Sequence, residues 1–211
     1  MSKFSKPVFA STITVIIVMV LASIEPMEWA SYLLHQLGTL LFLAFMLLTY
    51  FRRYISSHAY VLAALFLIIH IVGARYLYSF VPYDNWTQQL FGLRLSEVFG
   101  WQRNMYDRLV HFSYGLLLFQ AMLEIAKAIF KLQSIKLLIT IVLMINMSTS
   151  LLYELFEWML ALTMSPKAAE AYNGQQGDIW DAHQDMMWAL LGGLIGAGTF
   201  FLKTRKNQLK F

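Results

Sequence analysis

The chain has 211 residues, of which 59% are hydrophobic and only 13% are charged, and its formal net charge is +4. A soluble domain is usually about 45–50% apolar and about 25% charged, so this composition excludes an ordinary soluble protein and indicates one integral membrane domain. The sequence has no cysteine, which excludes disulfides and thiolate metal ligands. Its basic residues separate apolar runs rather than forming a patch, so we expect a lipid bilayer and no nucleic acid as partner.

Six apolar runs predict the fold. A spanning helix needs about 20 apolar residues, and the last three runs reach that length only by including polar residues at their ends. We predict an all-α, polytopic membrane helix bundle with six transmembrane helices, at residues 7–24, 29–51, 57–77, 107–127, 137–158 and 182–202. A β-barrel is disfavoured because its strands would alternate polar and apolar residues.

The first run also allows a second interpretation. Lys3 and Lys6, followed by an apolar core and small residues, are typical of a signal peptide. Glu25 and Pro26 equally mark a break between two retained spans, because proline cannot continue a hydrogen-bonded helix.

Two longer segments connect the spans. Trp86 and nearby leucines in 78–104 indicate an interfacial segment. In 162–178, Ser165 before a proline predicts the start of a short surface helix, and Gly174 predicts its end.

The distribution of charge predicts the orientation. With both termini in the cytoplasm, 11 of the 16 Lys and Arg residues fall inside and 5 fall outside, as the positive-inside rule requires. In that orientation 11 of the 12 acidic residues fall outside, and Glu124 alone falls inside. We therefore expect a multi-pass membrane protein with an acidic site in the outer leaflet.

The stretch YDRLVHFSYG places Asp107 and His111 four residues apart, on one helical face. Such a pair can orient an imidazole as a base or as a metal ligand. The alternative is an interfacial ion pair, or a carboxylate that the helix dipole favours.

The stretch LYELFEW places Glu154 and Glu157 three residues apart. Carboxylates within a span are expensive and are usually functional, and two neighbours repel unless they share a proton or a cation. The alternative is an ion pair with Arg75 or Arg108.

The stretch GDIWDAHQDM places Asp178, Asp181 and Asp185 on one stripe. Asp178 is predicted to cap the last helix, and Asp181 lies in the first turn, where the helix dipole would stabilise it. Asp185 lies two turns inside, where a carboxylate has no such local explanation.

These groups are expected to meet at similar depth. The candidate catalytic residues are Asp107, His111, Glu154, Glu157, Asp181 and Asp185. The candidate metal ligands are His111, Glu154, Glu157 and Asp185, and the candidate substrate contacts are His70, Arg75, Arg108, Trp158 and Trp180. Oxygen-rich ligands with imidazole suit a divalent metal such as Mg²⁺, Mn²⁺ or Zn²⁺.

Four stretches together resemble the YjdF-like family of bacterial inner-membrane proteins, a domain of unknown function. They are HIVGARYLY, NMYDRLVHFSYG, LYELFEW and QGDIWDAHQDMMWALLG, beginning at residues 70, 104, 152 and 176. The resemblance covers nearly the whole chain, and it implies a membrane location rather than a reaction.

A looser resemblance is to VanZ-like membrane proteins, whose pattern runs from an Asp-[Lys/Arg]-x-x-His-Phe motif through a later Glu to a late Asp before a Gly-rich span. The matching positions are Asp107, Arg108, His111 and Phe112, then Glu154 or Glu157, then Asp181 or Asp185. The Arg and Asn that usually flank the late Asp of that pattern are absent.

The sequence leaves two functions open. The first is a metal-assisted membrane enzyme that acts on a lipid or cell-envelope precursor, although no HExxH or GxSxG motif defines its reaction. The alternative is a non-enzymatic protein, either a small transporter or an accessory or binding subunit with a polar cavity. Against a conduction route, Glu124 is the one acid of the inner halves, and it lies at their edge.

The predicted orientation can be tested with topology reporters. A reporter that is active only in the cytoplasm should work when fused after Phe211, because the basic residues hold that end inside. A reporter that is active only outside should work when inserted near Tyr172. The opposite pattern of reporter activity would invert the topology and move the acidic site to the cytoplasmic face.

Overall fold

A computed structural model describes residues 4–208, and these residues form nine α-helices. They are α1 (Lys6–Ala22), α2 (Trp29–Phe51), α3 (Ser57–Arg75), α4 (Tyr83–Phe91), α5 (Leu95–Phe99), α6 (Tyr106–Phe130), α7 (Ile135–Thr163), α8 (Pro166–Asn173) and α9 (Asp181–Gln208). The predicted all-helical class is confirmed for this part of the chain. Lys3, Phe211 and the other residues outside 4–208 lie beyond the described segment.

Five of these helices, α2, α3, α6, α7 and α9, are long and apolar enough to cross a membrane. The first predicted span corresponds to α1, a shorter apolar helix of 17 residues. It ends at Ala22, and Glu25 then adopts a positive φ of 52° ahead of Pro26. The chain is thus a multi-pass helical protein with five candidate spans, and a sixth span stays a prediction.

The bundle is organised around α6. This helix packs against α9, α3 and α7, while α1 and α2 pack against α3. Buried Val8 and Val15 of α1 join the apolar core, and the Thr12 hydroxyl lies 2.7 Å from the Tyr60 hydroxyl of α3. The amino-terminal helices therefore support α3, which in turn supports α6.

Glycines bring α6 and α9 into backbone contact. A Cβ at Gly115 of α6 would overlap the Ala189 carbonyl oxygen, and a Cβ at Gly192 of α9 would overlap the Phe112 carbonyl oxygen. Small residues allow such close helix approach in membranes. The helices that carry Asp107, Asp181 and Asp185 are thereby held close together.

The segment after α3 folds back on that helix. Leu77 and Tyr78 adopt left-handed φ values of 50° and 54°, and the Tyr78 N–H donates to the Gly73 carbonyl at 2.8 Å. The Tyr78 ring then lies where a Cβ on residue 73 would stand. The glycine of the HIVGARYLY stretch is therefore required for the ring of Tyr78 to reach His70.

The predicted surface helix is present as α8. The Ser165 side chain accepts a hydrogen bond from the Ala168 N–H at 3.3 Å, and the helix ends at Gly174 with a φ of 70°. The predicted interfacial segment is formed by α4 and α5, and Leu90 and Phe91 of α4 expose most of their side-chain surface.

Substitution of Gly192 should disrupt the contact between α6 and α9. We expect Gly192→Val to lower the amount of folded protein in membranes, because the added side chain displaces α6 backbone rather than a flexible group. Gly198→Val, on the same helix with open space around its Cβ position, should leave the amount near wild type. Equal levels of the two variants, measured by immunoblot and thermal unfolding in detergent, would contradict the close approach.

Candidate acidic and histidine site

The first two turns of α6 carry three ionisable side chains into the protein interior. Asp107 and Arg108 are buried, and the His111 side chain is only 11% exposed. Ionisable groups inside a membrane protein almost always face the bundle interior and find partners there. The partners here come from α7, α9 and the turn before α9.

The Arg108 guanidinium joins α6 to α9. Its Nη2 donates to Asp181 at 2.6 Å and to Asp178 at 3.3 Å. Its Nη1 contacts the Asp185 carboxylate and lies 3.7 Å from Asp107 Oδ2. Because an arginine cannot be deprotonated in proteins, this buried cation holds four aspartates around itself.

Arg103 is a second cation at the same place, and no local pattern indicated it because its partners lie more than 70 residues further along the chain. Its Nη1 donates to Asp181 at 2.8 Å and to Asp178 at 3.2 Å, and its Nη2 donates to the Gly174 carbonyl at 3.1 Å. The Trp180 N–H, with help from both arginines, holds the pKa of Asp178 below its usual range. Arg103 thereby fixes the turn that leads into α9.

The predicted cap of the last helix is displaced by this turn. The helix begins at Asp181, three residues after Asp178. The Asp178 carboxylate instead accepts from the Trp180 N–H at 2.9 Å, within the preceding turn. Asp178 therefore pairs with the arginines and stabilises the turn before α9, rather than capping the helix.

His111 stands between two sets of carboxylates. Its Nε2 lies 3.7 Å from Asp107 Oδ1 and 3.6 Å from Asp185 Oδ1, and its Nδ1 lies 3.9 Å from Glu154 Oε1. Ligand atoms of Asp107, His111 and Asp185 all lie within 4.8 Å of one another. A tetrahedral metal site with bonds of about 2.1 Å spaces its ligands roughly 3.4 Å apart, so the distances from His111 Nε2 to the two aspartates are a few tenths of an ångström longer than in a closed site.

The structure brings together a different set of candidate metal ligands from the predicted one. Asp107 joins His111 and Asp185 on the Nε2 side of the ring, whereas Glu154 faces the other ring nitrogen, where a carboxylate can orient a ligating histidine. Glu157 is buried one turn along α7 and lines the neighbouring cavity.

Negative charge exceeds positive charge in this region. Its six carboxylates belong to Asp107, Glu154, Glu157, Asp178, Asp181 and Asp185, and its two guanidiniums belong to Arg103 and Arg108. Asp107 Oδ2 and Glu154 Oε1 are buried and accept no hydrogen bond from the described residues. Buried carboxylates without partners need a proton or a cation, so this region either holds protons on these carboxylates or binds a cation.

The acidic and histidine residues border a cavity of about 540 Å³. Its floor consists of α3 and α6, and its walls are α2 on one side and α7 on the other. Exposed residues from both walls line it, including Leu37 of α2 and Phe156 of α7, so it opens between these helices toward the membrane. Asp107, His111 and Glu157 lie on its surface, and most of the rest is apolar.

Aromatic and imidazole rings form the end of the cavity next to α8. Tyr172 of α8 stacks on His35 of α2 with ring centroids 4.2 Å apart, and the Tyr78 hydroxyl lies 2.9 Å from His70 Nδ1. Burial raises the pKa of Tyr78 well above its usual range, and burial together with the charge of Glu157 raises the pKa of Tyr172. Both phenols therefore remain protonated and can donate hydrogen bonds.

The predicted substrate contacts divide into two groups. His70 lines the cavity and Arg108 holds its acidic border. Arg75 instead donates to carbonyls at the end of α1, among them Leu21 at 3.0 Å, since α1 ends without a basic residue of its own.

Trp158 and Trp180 are each 59% exposed, and neither is among the described residues that line the cavity. Each side chain points away from the acidic residues because its backbone neighbours, Glu157 and Asp181, take the inward positions. The ligand contacts predicted for Arg75, Trp158 and Trp180 therefore stay predictions, because none of the three is among the described residues that line the cavity.

Comparison with known proteins agrees with the resemblance read from the motifs. The model of the family described as "Predicted membrane protein (DUF2238)" matches residues 8–206. The inner membrane protein YjdF of Escherichia coli (strain K12) is 31% identical over 196 residues, which cover 92% of this chain and 90% of that protein. No solved structure matches the chain.

Removal of the central guanidinium should destabilise the protein strongly. Arg108→Ala leaves Asp185 buried without its cation and leaves Asp181 with Arg103 alone, and breaking a buried pair costs about 3–5 kcal/mol. We expect a large loss of the protein from membranes and a lowered thermal midpoint in detergent.

Arg94→Ala is the matched control for this prediction. Arg94 pairs with Glu97 at 3.2 Å on the exposed surface, where such pairs contribute at most about 1 kcal/mol. A thermal midpoint for Arg108→Ala equal to that of Arg94→Ala would contradict the central role of Arg108.

Proposed function

The chain belongs to the DUF2238 family of predicted membrane proteins, and we propose that it is an inner-membrane, metal-dependent enzyme that acts on the polar group of a lipid or cell-envelope precursor. One observation carries the proposal. A carboxylate and imidazole group stands at the border of a mostly apolar cavity that opens toward the membrane. The inner-membrane assignment rests on the name of its Escherichia coli relative and on the predicted charge bias.

The site supports binding of one divalent cation by Asp107, His111 and Asp185. Two carboxylates and one imidazole are ligands that Zn²⁺ and Mn²⁺ accept. A divalent charge would offset part of the excess of carboxylates over guanidiniums, which the two arginines leave unbalanced. Glu154 would accept from the free ring nitrogen of His111 and fix the orientation of the ring.

A cation at this place would act as a Lewis acid on a carbonyl or phosphoryl oxygen, or would lower the pKa of a bound water. Glu157 and the Tyr153 hydroxyl reach the same cavity from α7. Glu157 is the residue of this chain best placed to take up or deliver a proton to a group held there. The apolar remainder of the cavity suits an acyl or prenyl chain.

A second candidate, a cation or proton route of a small transporter, has one observation in its favour. Asn146, Ser150 and Glu154 form a buried polar stripe on α7, and side-chain atoms of all three lack hydrogen-bond partners among the described residues. The same face continues inward as Val142 and Leu138, which are buried and apolar. The stripe therefore ends part-way across the bundle, and a site open to one side fits it better than a route.

Metal content is the direct test of the proposal. Wild-type protein purified without chelator should carry about one divalent ion per chain by elemental analysis, and Asp107→Asn should bind that ion at least about tenfold more weakly. Asp107→Asn leaves the short contacts of Arg108 with Asp181 and Asp185 in place, so its membrane level should stay near wild type.

Asp84→Asn is the control, because Asp84 binds Ser96 in the α4–α5 segment, outside the acidic region. Lipid extracts of cells that overproduce wild type should differ from extracts of Asp107→Asn cells by mass spectrometry. Bound metal without a lipid change would favour a binding protein, and protein without metal would reject the enzyme proposal.

A further inference from the structure

His35 of α2 is a buried side chain that the acidic site does not use. It is 2% exposed and lines the end of the cavity next to α8. Its Nδ1 lies 2.7 Å from the Ser31 carbonyl oxygen one turn earlier, and its ring stacks on Tyr172 at an interplanar angle of 18°. Two contacts therefore hold the ring in one orientation.

The Ser31 contact also fixes where the proton of His35 lies. A carbonyl oxygen can only accept, so Nδ1 must carry the hydrogen, and Nε2 of the neutral ring is then an acceptor with a free lone pair. Nε2 is buried and has no hydrogen-bond partner among the described residues. A buried acceptor without a partner costs about 1–3 kcal/mol, and a ligand donor would remove that cost.

Asn173 at the end of α8 presents a second acceptor of the same kind. Its Oδ1 is buried without a partner among the described residues, and the side chain lines the same cavity. The hydroxyl of Tyr78 is already engaged, since it lies 2.9 Å from His70 Nδ1. The buried atoms without a partner at this end of the cavity, His35 Nε2 and Asn173 Oδ1, are both acceptors, and they are complementary to hydroxyl or amine donors.

The apolar part of the cavity continues along α2 from this point. Gly38 lies one turn from His35, lines the cavity, and has open space around its Cβ position. Leu34 and Leu41 of the same helix line the wall on either side of it. A chain attached to a head group at His35 would therefore run past Gly38 between α2 and α7.

We propose that His35 and Asn173 form the head-group site for a neutral, hydroxyl-bearing lipid of the acylglycerol type, whose acyl chain lies beside Gly38. The inference rests on the amphiphile cavity of the proposed function and names its ligand class. A hydroxyl group donates to His35 Nε2 and a second one to Asn173 Oδ1. A fatty acid carboxylate has no donor for either acceptor.

Binding of two matched probes tests this site. In phosphatidylcholine nanodiscs, wild type should bind a radiolabelled monoacylglycerol about tenfold more tightly than the fatty acid of the same chain length, since one unsatisfied acceptor is worth about that factor. His35→Phe keeps the ring stack on Tyr172 and should lose most of this preference. Asn173→Ala should also lose most of this preference, and it provides a second test if His35→Phe folds poorly.

Gly38→Trp fills the chain path and should weaken binding of both probes. Gly198→Trp, on α9 with open space around it and outside the cavity lining, should weaken neither. Equal binding of the two probes by wild type, or an unchanged preference in both head-group variants, would overturn the proposal. Metal analysis of the same samples distinguishes the enzyme proposal from the head-group proposal. Absence of metal rejects the enzyme proposal, whereas the measured preference between the two probes does not depend on metal.

Discussion

The architecture of the polar region depends on one buried guanidinium. Arg108 cannot lose its charge, and its side chain is 2% exposed in the interior of a helical bundle. That charge requires carboxylates from α9 and from the turn before it, and so it fixes the position of α9 along α6. The glycine contacts between the two helices bring the backbones close enough for the short side chains of Asp181 and Asp185 to reach it.

The two arginines divide the carboxylates into two groups. Asp178 and Asp181 accept hydrogen bonds from both Arg103 and Arg108. Asp107 and the two glutamates of α7 receive no hydrogen bond from a described arginine. The same ionic interaction that closes the bundle therefore leaves carboxylates without an arginine partner next to His111, at the border of the cavity.

Much of the fold could be predicted because lipid allows few solutions. A chain in hydrocarbon must satisfy its backbone internally, so long apolar runs become helices, and five of the predicted spans correspond to helices of sufficient length. Local chemistry also sufficed for α8, whose Ser165 and Gly174 act at its two ends, and for the common face of Asp107 and His111.

The remaining features depend on distant contacts that no local pattern encodes. Arg103 and His35 acquire their surroundings from the turn before α9 and from α8, respectively. Motif spacing placed the acids of α6, α7 and α9 at a similar depth, but it could not tell which ring nitrogen of His111 each of them would face. Which nitrogen each acid faces depends on the rotation of the helices about their axes. In the structure Asp107 faces Nε2 and joins the candidate ligands, whereas Glu154 faces Nδ1 on the opposite side of the ring.

Because the cavity opens between α2 and α7, its occupancy by a ligand should be expressed relative to the surrounding lipid. A molecule that reaches the cavity from within the bilayer is present there as a mole fraction of the surrounding lipid, not as a concentration in water. Even a weak site is filled when its ligand is an abundant membrane component, and a rare component requires strong discrimination by the head-group residues. The lipid composition of the host membrane would then regulate this protein as directly as any soluble effector.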